Sequence, residues 1–258
     1  MLKKLKSSVK RGIAVLGIIT ASVASMNAQS FLPYNYYTFD GASPLDDQML
    51  HNSLNFSFFQ SPYTISTSNS AGNAVGKCLI LNNASKQIVA SQPLALDSGI
   101  TIEFLWKPSA DINETVQLFG RRDGALQIRF TYPNLRFLTK VTPTGSSTAV
   151  SDIMNIELAG IGRMSYGYYM DGNWHHFAFK YNAKTGEKEI WVDGQSPAEF
   201  KAIVGTGKFA SNSTNVNNNI LDINTNTDYY KYEGSLDEIA IYPFALHQNI
   251  IYKHYTEF

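Results

Sequence analysis

The sequence is poor in cysteine and in helix-forming patterns. One cysteine, Cys78, occurs in 258 residues, which excludes a disulfide within the chain. A Gly-x-Ser-x-Gly elbow and a Gly-rich phosphate loop are also missing from the sequence. Their absence removes the familiar signatures of serine hydrolases and nucleotide-binding proteins.

The N-terminal segment has the layout of a secretory signal peptide. Five basic residues open it: Lys3, Lys4, Lys6, Lys10 and Arg11. A short apolar run, residues 12–24, and several small residues follow in the order that export signals show. The run is shorter than the about 20 residues that a membrane-spanning helix needs. We therefore predict cleavage after Ala28 and no membrane span in the mature chain, with an uncleaved N-terminal anchor as the alternative.

Removing residues 1–28 changes the charge of the protein. The segment carries five of the 21 basic residues and none of the acidic ones, so 16 basic and 21 acidic residues remain, a net charge of −5. Such a chain has no general affinity for nucleic acid or anionic membranes. Export without disulfides favours a bacterium, with a location in the periplasm, on the outer-membrane surface or outside the cell.

Alternating apolar and polar residues predict strands along most of the chain. In residues 100–108, Ile102, Phe104 and Trp106 share one face, as in a strand with one side in a core. Similar segments lie at 125–132, 175–181, 188–194 and 235–246, and the second and third of these form a hairpin pattern around a glycine turn. Pro243 should end the last strand, and one short helical turn should follow. Many short strands with polar turns indicate an all-β sandwich or barrel.

His175 and His176 follow Trp174 directly. Neighbouring residues in a strand point to opposite faces, so the two imidazoles cannot bind one metal ion. No further ligand stands nearby at the spacing of a zinc site. We predict that both histidines lie at the edge of the core and that Trp174, which heads the alternating strand, plugs the core.

Four stretches of sequence resemble laminin G-like domains of the concanavalin A-like lectin and glucanase superfamily. DGNWHHFAFKY with EIWVDGQ resembles the family's hairpin, and further strands of the family resemble YYTFDG (36–41), ITIEFLWKPS (100–109) and GSLDEIAIYPFAL (234–246). The resemblance covers residues 34–258, within a mature domain predicted at 29–258. It implies an all-β fold, a concanavalin A-like jelly-roll sandwich of two curved antiparallel sheets, with the first and last strands adjacent.

Glucanases of this superfamily carry a Glu-x-Asp-x-x-Glu strand, because retaining hydrolysis needs two carboxylates about 5 Å apart. That spacing does not occur in this sequence. The nearest acidic pairs are Glu187 with Glu189, which could share a face, and Asp237 with Glu238, which should point to opposite faces. We therefore predict that the protein is not an enzyme, with a glycoside hydrolase of displaced carboxylates as a weaker alternative.

The resemblance also implies one structural calcium ion at the rim of the sandwich. Asp40 in the first strand and Asp237 in the last would lie on neighbouring strands, and Gly41 could add a carbonyl oxygen, the ligand type that calcium prefers. Without a cation, such a carboxylate pair would repel and one pKa would rise. Alternatively, Asp40 and Asp237 cap turns or accept backbone N–H groups.

Tyrosine-rich segments beside Asn-rich ones predict a sugar-binding surface, since aromatic faces stack on sugar rings and amides bond their hydroxyls. Trp191 lies opposite the apolar face of its strand and is expected to point outward. The candidate ligand-binding residues are Tyr166, Tyr168, Tyr169, Trp191, Tyr229, Tyr230 and Tyr232. We predict a non-catalytic module that binds a polysaccharide, another glycan or an envelope protein. The alternative is a docking subunit of an outer-membrane or surface complex.

Overall fold

Two antiparallel β-sheets form the framework. The computed structural model describes residues 32–40, 47–49, 54–56, 64–66, 76–81, 88–93, 98–108, 115–121, 124–210, 220–223 and 234–257. Within these residues the strands are β1 (Asn35–Tyr37), β2 (Leu54–Phe56), β3 (Thr64–Ser66), β4 (Cys78–Leu81), β5 (Ile88–Pro93), β6 (Gly99–Pro108), β7 (Val116–Arg121), β8 (Leu126–Thr131), β9 (Asn134–Pro143), β10 (Val150–Glu157), β11 (His175–Asn182), β12 (Glu187–Val192), β13 (Lys201–Ile203), β14 (Gly207–Phe209), β15 (Ile220–Ile223) and β16 (Gly234–Tyr242). The helical segments are two 3-10 turns, Gly162–Met164 and Ala198–Phe200, and the helices α1 (Tyr166–Tyr169) and α2 (Gln248–Glu257). The predicted signal segment, residues 1–28, lies outside the described residues.

The sheet order agrees with the predicted sandwich. The first sheet runs β13-β12-β11-β6-β16-β4-β3, and β1 also pairs with β16. The second sheet runs β10-β9-β8-β7-β15-β5-β2, and β14 also pairs with β9. The pairing of Asn35 with Ile241 joins the first strand to the last in antiparallel register. The predictions of two antiparallel sheets and of adjacent terminal strands are therefore confirmed.

Aromatic side chains from the two inner sheet faces fill the core. The rings of Phe104 in β6 and Phe119 in β7 lie 4.8 Å apart, and those of Trp106 and Phe130 lie 4.6 Å apart. All four side chains are completely buried. Burying one such side chain stabilises the fold by about 1.5–3 kcal/mol. The alternation predicted for residues 100–108 is thus the pattern that builds one wall of this core.

A β-bulge explains the imperfect alternation of the last strand. The register of β16 against β6 shifts between Asp237 and Ala240, so one extra residue opposes β6 at this point. Glu238 lies in the bulge with a positive φ of 51°. The extra residue keeps Leu236 and Ile239 on the core side although they are three positions apart, and both are fully buried. The strand ends at Tyr242, directly before Pro243, as predicted.

Two sequence predictions differ from the structure. Trp174 is half-buried and lies outside the core. It stands two residues before His176, so its side chain lies on the same outer face. Trp106 is the tryptophan that packs in the core. The predicted short helical turn is α2, a helix of ten residues. Apolar and histidine residues on one side of that helix face the outer side of the first sheet, and this long-range packing is not visible in the local sequence.

Helix α2 lies against the outer face of the first sheet. Glu103 of β6 accepts a hydrogen bond from His254 of α2, with 2.7 Å between Oε2 and Nδ1. His176 Nε2 lies 3.8 Å from the other oxygen of the same carboxylate. The ring of Tyr242 stacks on the ring of His254. We call Glu103, His176, Tyr242 and His254 the helix-covered cluster.

Candidate functional site

A rim of tyrosines lies at one end of the sandwich, where α1 meets the turn between β8 and β9. Leu158 donates its N–H to the Pro133 carbonyl at 3.0 Å, and Tyr166 donates its N–H to the Leu158 carbonyl at 2.9 Å. These bonds place the Tyr166 ring edge-on to Tyr132, with 4.7 Å between ring centroids. Tyr132 is 56 % exposed and Tyr166 is half-buried. We call Tyr132, Tyr166 and Tyr168 the tyrosine rim.

A histidine held between two carboxylates fixes the base of this rim. His175 Nδ1 lies 2.9 Å from Asp193 Oδ2, and its Nε2 lies 3.1 Å from Asp171 Oδ1. The hydroxyl of Tyr168 donates to the same Asp193 oxygen at 2.6 Å. Asp193 has a positive φ of 46° in the turn after β12 and also accepts the His176 N–H.

The pKa shifts in this clamp agree with its geometry. Burial alone would lower the pKa of His175, but the hydrogen bonds and charges of Asp193 and Asp171 raise it above its ordinary value. Burial alone would raise the pKa of Asp193, but hydrogen bonds from His175 and Tyr168 lower it. Both nitrogens of His175 lie at hydrogen-bond distance from a carboxylate, so the clamp holds the imidazole in a fixed position.

The two histidines point to opposite sides, as predicted. His175 contacts the core-side rings of Tyr169 and Phe177, whereas His176 faces Glu103 and the ring of Tyr255 in α2.

Two of the candidate ligand-binding aromatics are buried, which corrects the prediction that they are presented to a ligand. Tyr169 is 0 % exposed, because α1 turns its ring into the core against Phe130 and Phe177. Trp191 is on the outer face of its strand, as expected, but only 7 % exposed. Its indole N–H donates to Glu189 at 2.9 Å, and the Lys201 ammonium lies 5.5 Å from the ring centroid.

Tyr166 and Tyr168 belong to the tyrosine rim. Tyr229, Tyr230 and Tyr232, with Gly41 of the calcium prediction, lie outside the described residues.

A row of polar side chains crosses the outer face of the second sheet close to the rim. In the strand register Gln117 of β7 faces Arg129 of β8, Arg129 faces Arg136 of β9, and Arg136 faces Asn155 of β10. Directly opposed residues of antiparallel strands share one face, so the four side chains form a continuous line. We call Gln117, Arg129, Arg136 and Asn155 the polar row.

Exposure increases along the polar row. Gln117 is 6 % exposed, the two arginines are half-buried, and Asn155 at the sheet edge is exposed. Asn155 donates its side-chain N–H to Asn134 at 3.2 Å, and Asn134 stands two residues after Tyr132 of the rim. The row and the rim therefore meet at the β8–β9 turn.

The predicted calcium residues accept protein hydrogen bonds in this structure. Asp40 Oδ1 accepts the Lys77 N–H at 2.6 Å, and Asp237 accepts the Glu238 N–H at 2.9 Å. Glu238 accepts a hydrogen bond from the Tyr36 hydroxyl. Burial, together with the charge of Asp40, raises the pKa of Glu238 to about 7. Within the described ranges, no group of three or more His, Cys, Asp or Glu side chains is arranged to hold a metal ion.

The acidic pairs considered for hydrolysis have structural partners as well. Glu189 is bound by Lys180, with 2.6 Å between Nζ and Oε2. Burial alone would raise the pKa of Glu189, but the Lys180 and Trp191 hydrogen bonds lower it, which is the wrong direction for a general acid. Glu187 and Glu189 do line one open depression together with Lys201 and Ala202.

Sequence reasoning missed Tyr132 and the two arginines. The alternation of residues 126–131 does place Arg129 on a polar strand face. Its neighbours across the sheet come from other strands, so the row follows only from the register. The strand pattern of residues 125–132 predicts Tyr132 as the end of a strand, whereas Tyr132 lies in the turn between β8 and β9.

Two antiparallel sheets around one aromatic core, with a polar outer face and an exposed rim, define a jelly-roll β-sandwich protein. Residues 82–251 match the laminin G-type family model of the concanavalin A-like lectin/glucanases superfamily. The match covers more than half of the chain, and the chain belongs to this family. No curated protein sequence matches it significantly.

Solved structures with a similar fold include binding domains of larger proteins. The binding domain of botulinum neurotoxin serotype G has a TM-score of 0.60 at 13 % identity, over 87 % of this chain and 50 % of that one. Domain 4 of an extracellular GH43 arabinanase from Geobacillus stearothermophilus, in complex with arabinotriose, has a TM-score of 0.59 at 18 % identity, over 86 % of this chain and 97 % of that one. The ligand-binding domain of botulinum neurotoxin serotype D, in complex with N-acetylneuraminic acid, has a TM-score of 0.56 at 9 % identity, over 87 % and 50 %. The chain thus spans about half the length of these neurotoxin chains, and the low identities show the fold alone.

In the part of the chain that the structure describes, no helix is long and apolar enough to cross a membrane.

Proposed function

We propose that the protein is an exported, non-catalytic carbohydrate-binding module of a bacterial cell envelope, and that its glycan binds at the tyrosine rim. The observation that carries the proposal is the exposed Tyr132 ring packed edge-on against Tyr166, next to the amides of Asn134 and Asn155. Aromatic faces and side-chain amides together are the groups that bind sugar rings and their hydroxyls.

Two further features support this proposal. The clamp of Asp171, His175 and Asp193 holds Tyr168, so the base of the rim is fixed before a ligand arrives, which reduces the entropy cost of binding. The arabinotriose and N-acetylneuraminic acid complexes show that sandwiches of similar fold bind sugars in other proteins.

The test is a glycan array with the purified protein, followed by calorimetry on the best glycan. Tyr132→Ala and Tyr166→Ala should each weaken binding about tenfold, since an aromatic contact of about 1.4 kcal/mol corresponds to one order of magnitude. Tyr252→Ala is the matched control, because Tyr252 is a comparably exposed tyrosine on α2 and does not belong to the tyrosine rim. Equal losses in all three variants, or no binding to any glycan, would contradict the proposal.

A protein-docking role is the second candidate. The edge strand β10 exposes Val150 (51 %) and Ile153 (47 %), two apolar side chains that a partner strand could cover. Docking predicts that Ile153→Lys abolishes co-purification of a specific envelope protein while glycan binding is unchanged.

Calcium binding near Asp40 and Asp237 stays a prediction. A bound ion would raise the melting temperature in excess calcium relative to EDTA, because a ligand that binds only the folded state stabilises it. Asp40→Asn should abolish that difference, and an identical melting temperature in both buffers would exclude the site.

A further inference from the structure

Strand β10 forms a long and regular edge of the second sheet. It has eight residues, Val150–Glu157, and pairs with β9 in continuous register without a bulge. The other described strands at the ends of the two sheets, β13, β3 and β2, have three residues each. Natural edge strands are usually short, or carry a lysine, a proline or a bulge that prevents pairing with another chain. β10 has none of these features.

The backbone of β10 offers alternate residues to the open edge. Leu158 donates its N–H to the Pro133 carbonyl at 3.0 Å, which continues the ladder with β9 by one residue. Backbone groups alternate in direction along an antiparallel strand. Leu158 and every second residue before it therefore turn toward β9. The residues that turn their N–H and C=O groups to the open edge are Ser151, Ile153, Asn155 and Glu157.

Apolar side chains are exposed along the same edge. Val150 is 51 % exposed and Ile153 is 47 % exposed, although both are β-branched residues that favour packed strands. In the part of the chain that the structure describes, β10 pairs with β9 alone. An added strand would cover both side chains and pair the backbone groups of the edge.

The sequence of β10 is complementary to itself when it is reversed about Ile153. We propose that β10 pairs with β10 of a second copy of the chain, in antiparallel direction, across a two-fold axis at Ile153. In this register Ile153 faces its own copy, and Ser151 faces Asn155 of the second copy, whose amide can bond the serine hydroxyl. Val150 faces Ile156 of the second copy, so one apolar pair stands on each side of the axis. This inference goes beyond the proposed function and does not depend on it.

Charge favours this register over a shifted one. The Asp152 carboxylate lies 3.3 Å from the Lys188 ammonium of the same chain, and it stands opposite a methionine of the second copy. Glu157 stands opposite Ala149. A register centred on Asp152 would place that carboxylate against its own copy, and like charges in directly opposed positions destabilise a sheet. The proposed register therefore avoids opposed like charges.

The dimer also determines where the two tyrosine rims lie. The rim follows the Glu157 end of β10, because Leu158 binds both Pro133 and Tyr166. Antiparallel pairing places the two rims at opposite ends of the joined sheet. With a rise of about 3.4 Å per residue, the two Leu158 positions are on the order of 34 Å apart. A dimer that binds glycan would therefore bridge two glycan chains.

The first experiment is sedimentation velocity of the purified protein at concentrations from about 1 to 200 µM, where a small interface dissociates measurably. We expect a monomer–dimer equilibrium. Ile153→Lys should raise the dimer dissociation constant at least about tenfold, because two ammonium groups then meet at the axis. Tyr252→Lys adds the same charge at a comparably exposed site on α2 and should leave the equilibrium unchanged.

The second experiment tests the register with single cysteines under a mild oxidant. Ile153→Cys should give a disulfide-linked dimer on a non-reducing gel, because directly opposed Cα atoms about 5.5 Å apart lie within disulfide range. Ser151→Cys is the matched control, since in this register it lies on the order of 14 Å along the strand from its own copy. The double variant Ser151→Cys with Asn155→Cys should cross-link again. The natural Cys78 is buried.

Each outcome decides the proposal. A concentration-dependent dimer with a cross-link at Ile153→Cys but not at Ser151→Cys supports it. A monomer at every concentration overturns it, also when Ile153→Lys abolishes binding to a different envelope protein, because β10 then pairs with another chain. Equal cross-linking of both single-cysteine variants overturns the register. These experiments contain no glycan, so their failure leaves the proposed carbohydrate binding untouched.

Discussion

The outer faces of the two sheets carry similar polar residues in opposite environments. On the first sheet Glu103 is 1 % exposed, because helix α2 places His254 directly on its carboxylate. On the second sheet the polar row is half-buried at Arg129 and Arg136 and exposed at Asn155. The first face holds a helix through buried charged groups, whereas the side chains of Arg129, Arg136 and Asn155 in the polar row are only partly buried or exposed.

A polar strand face therefore does not by itself indicate that the face is exposed to solvent or that it has a function. Both faces come from strands with alternating residues, and in both the inner side chains form the core. The two faces differ in what packs against them, and helix α2 packs against the first. A buried charge is stable only when it is paired, and removing its partner leaves a large desolvation cost. A partly exposed polar side chain keeps part of its hydration, so the loss of a partner costs it less.

Glu103→Ala should give the largest effect, because it leaves His254 and His176 without their shared carboxylate beneath α2. We expect a loss of about 3–5 kcal/mol in the free energy of unfolding, as for other broken buried ion pairs. Urea denaturation followed by tryptophan fluorescence measures it. Glu187→Ala, at an exposed site on the same sheet, is the control and should change stability by less than about 0.5 kcal/mol. Equal losses in both variants would show that α2 does not depend on this cluster.

Glu238→Gln should stabilise the protein at alkaline pH. Burial and the charge of Asp40 raise the pKa of Glu238 to about 7, so the folded protein holds a proton there that the unfolded chain releases above its ordinary pKa of 4.5. This contribution is fully present below pH 4.5 and is lost as the pH rises through 7. At pH 8 the variant should be more stable than the wild type by on the order of 2 kcal/mol. Thermal melts at pH 5 and pH 8 test the sign, and a variant that is less stable at pH 8 would contradict it.

The two histidines of the helix-covered cluster should give smaller effects of opposite pH dependence. Burial alone would lower the pKa of His254, but the hydrogen bond and charge of Glu103, with the charge of Glu257, raise it against the effect of Lys253. Burial lowers the pKa of His176, and the charge of His254 lowers it further, although Glu103 and Asp193 raise it.

The stability that His254 contributes is therefore present below the ordinary histidine pKa and is lost as the pH rises through the raised value. The contribution of His176 is present above the ordinary pKa and is lost as the pH falls through the lowered value. Melting curves between pH 5 and pH 9 should show that His254→Gln removes the alkaline decline and His176→Gln the acidic one. Tyr242, which also faces Glu103, stays protonated over this range because burial raises its pKa. Parallel curves for both variants would contradict this assignment.

The smallest effect on stability should come from the polar row. Asn155→Ala, at the exposed end of the polar row, removes an exposed side-chain hydrogen bond to Asn134. We expect the free energy of unfolding to change by no more than about 0.5 kcal/mol in the same urea denaturation, because substitutions at exposed sites have small effects. A loss comparable with that of Glu103→Ala would mean that the two outer faces are equivalent, and the comparison would fail.

Strand alternation was sufficient to predict four neighbouring strands of the first sheet: β12, β11, β6 and β16. Residues 100–108 and 175–181 form β6 and β11, because period two is a local property of the chain. The same reasoning failed at Tyr169 and Trp191, where exposure was inferred from local pattern alone. Helix α1 turns Tyr169 into the core. Glu189, two residues before Trp191 in β12, and Lys201 in the neighbouring strand β13 cover the Trp191 indole.

By itself, the sequence determined the class of fold, the alternation that selects core residues, and the opposite directions of His175 and His176. These properties depend on backbone geometry between neighbouring residues. The tertiary structure alone decided which polar face is covered, that Arg129 stands opposite Arg136, and that Tyr132 meets Tyr166. Those facts depend on the register between strands distant in sequence and on where α2 packs, and neither is encoded in any short segment of the chain.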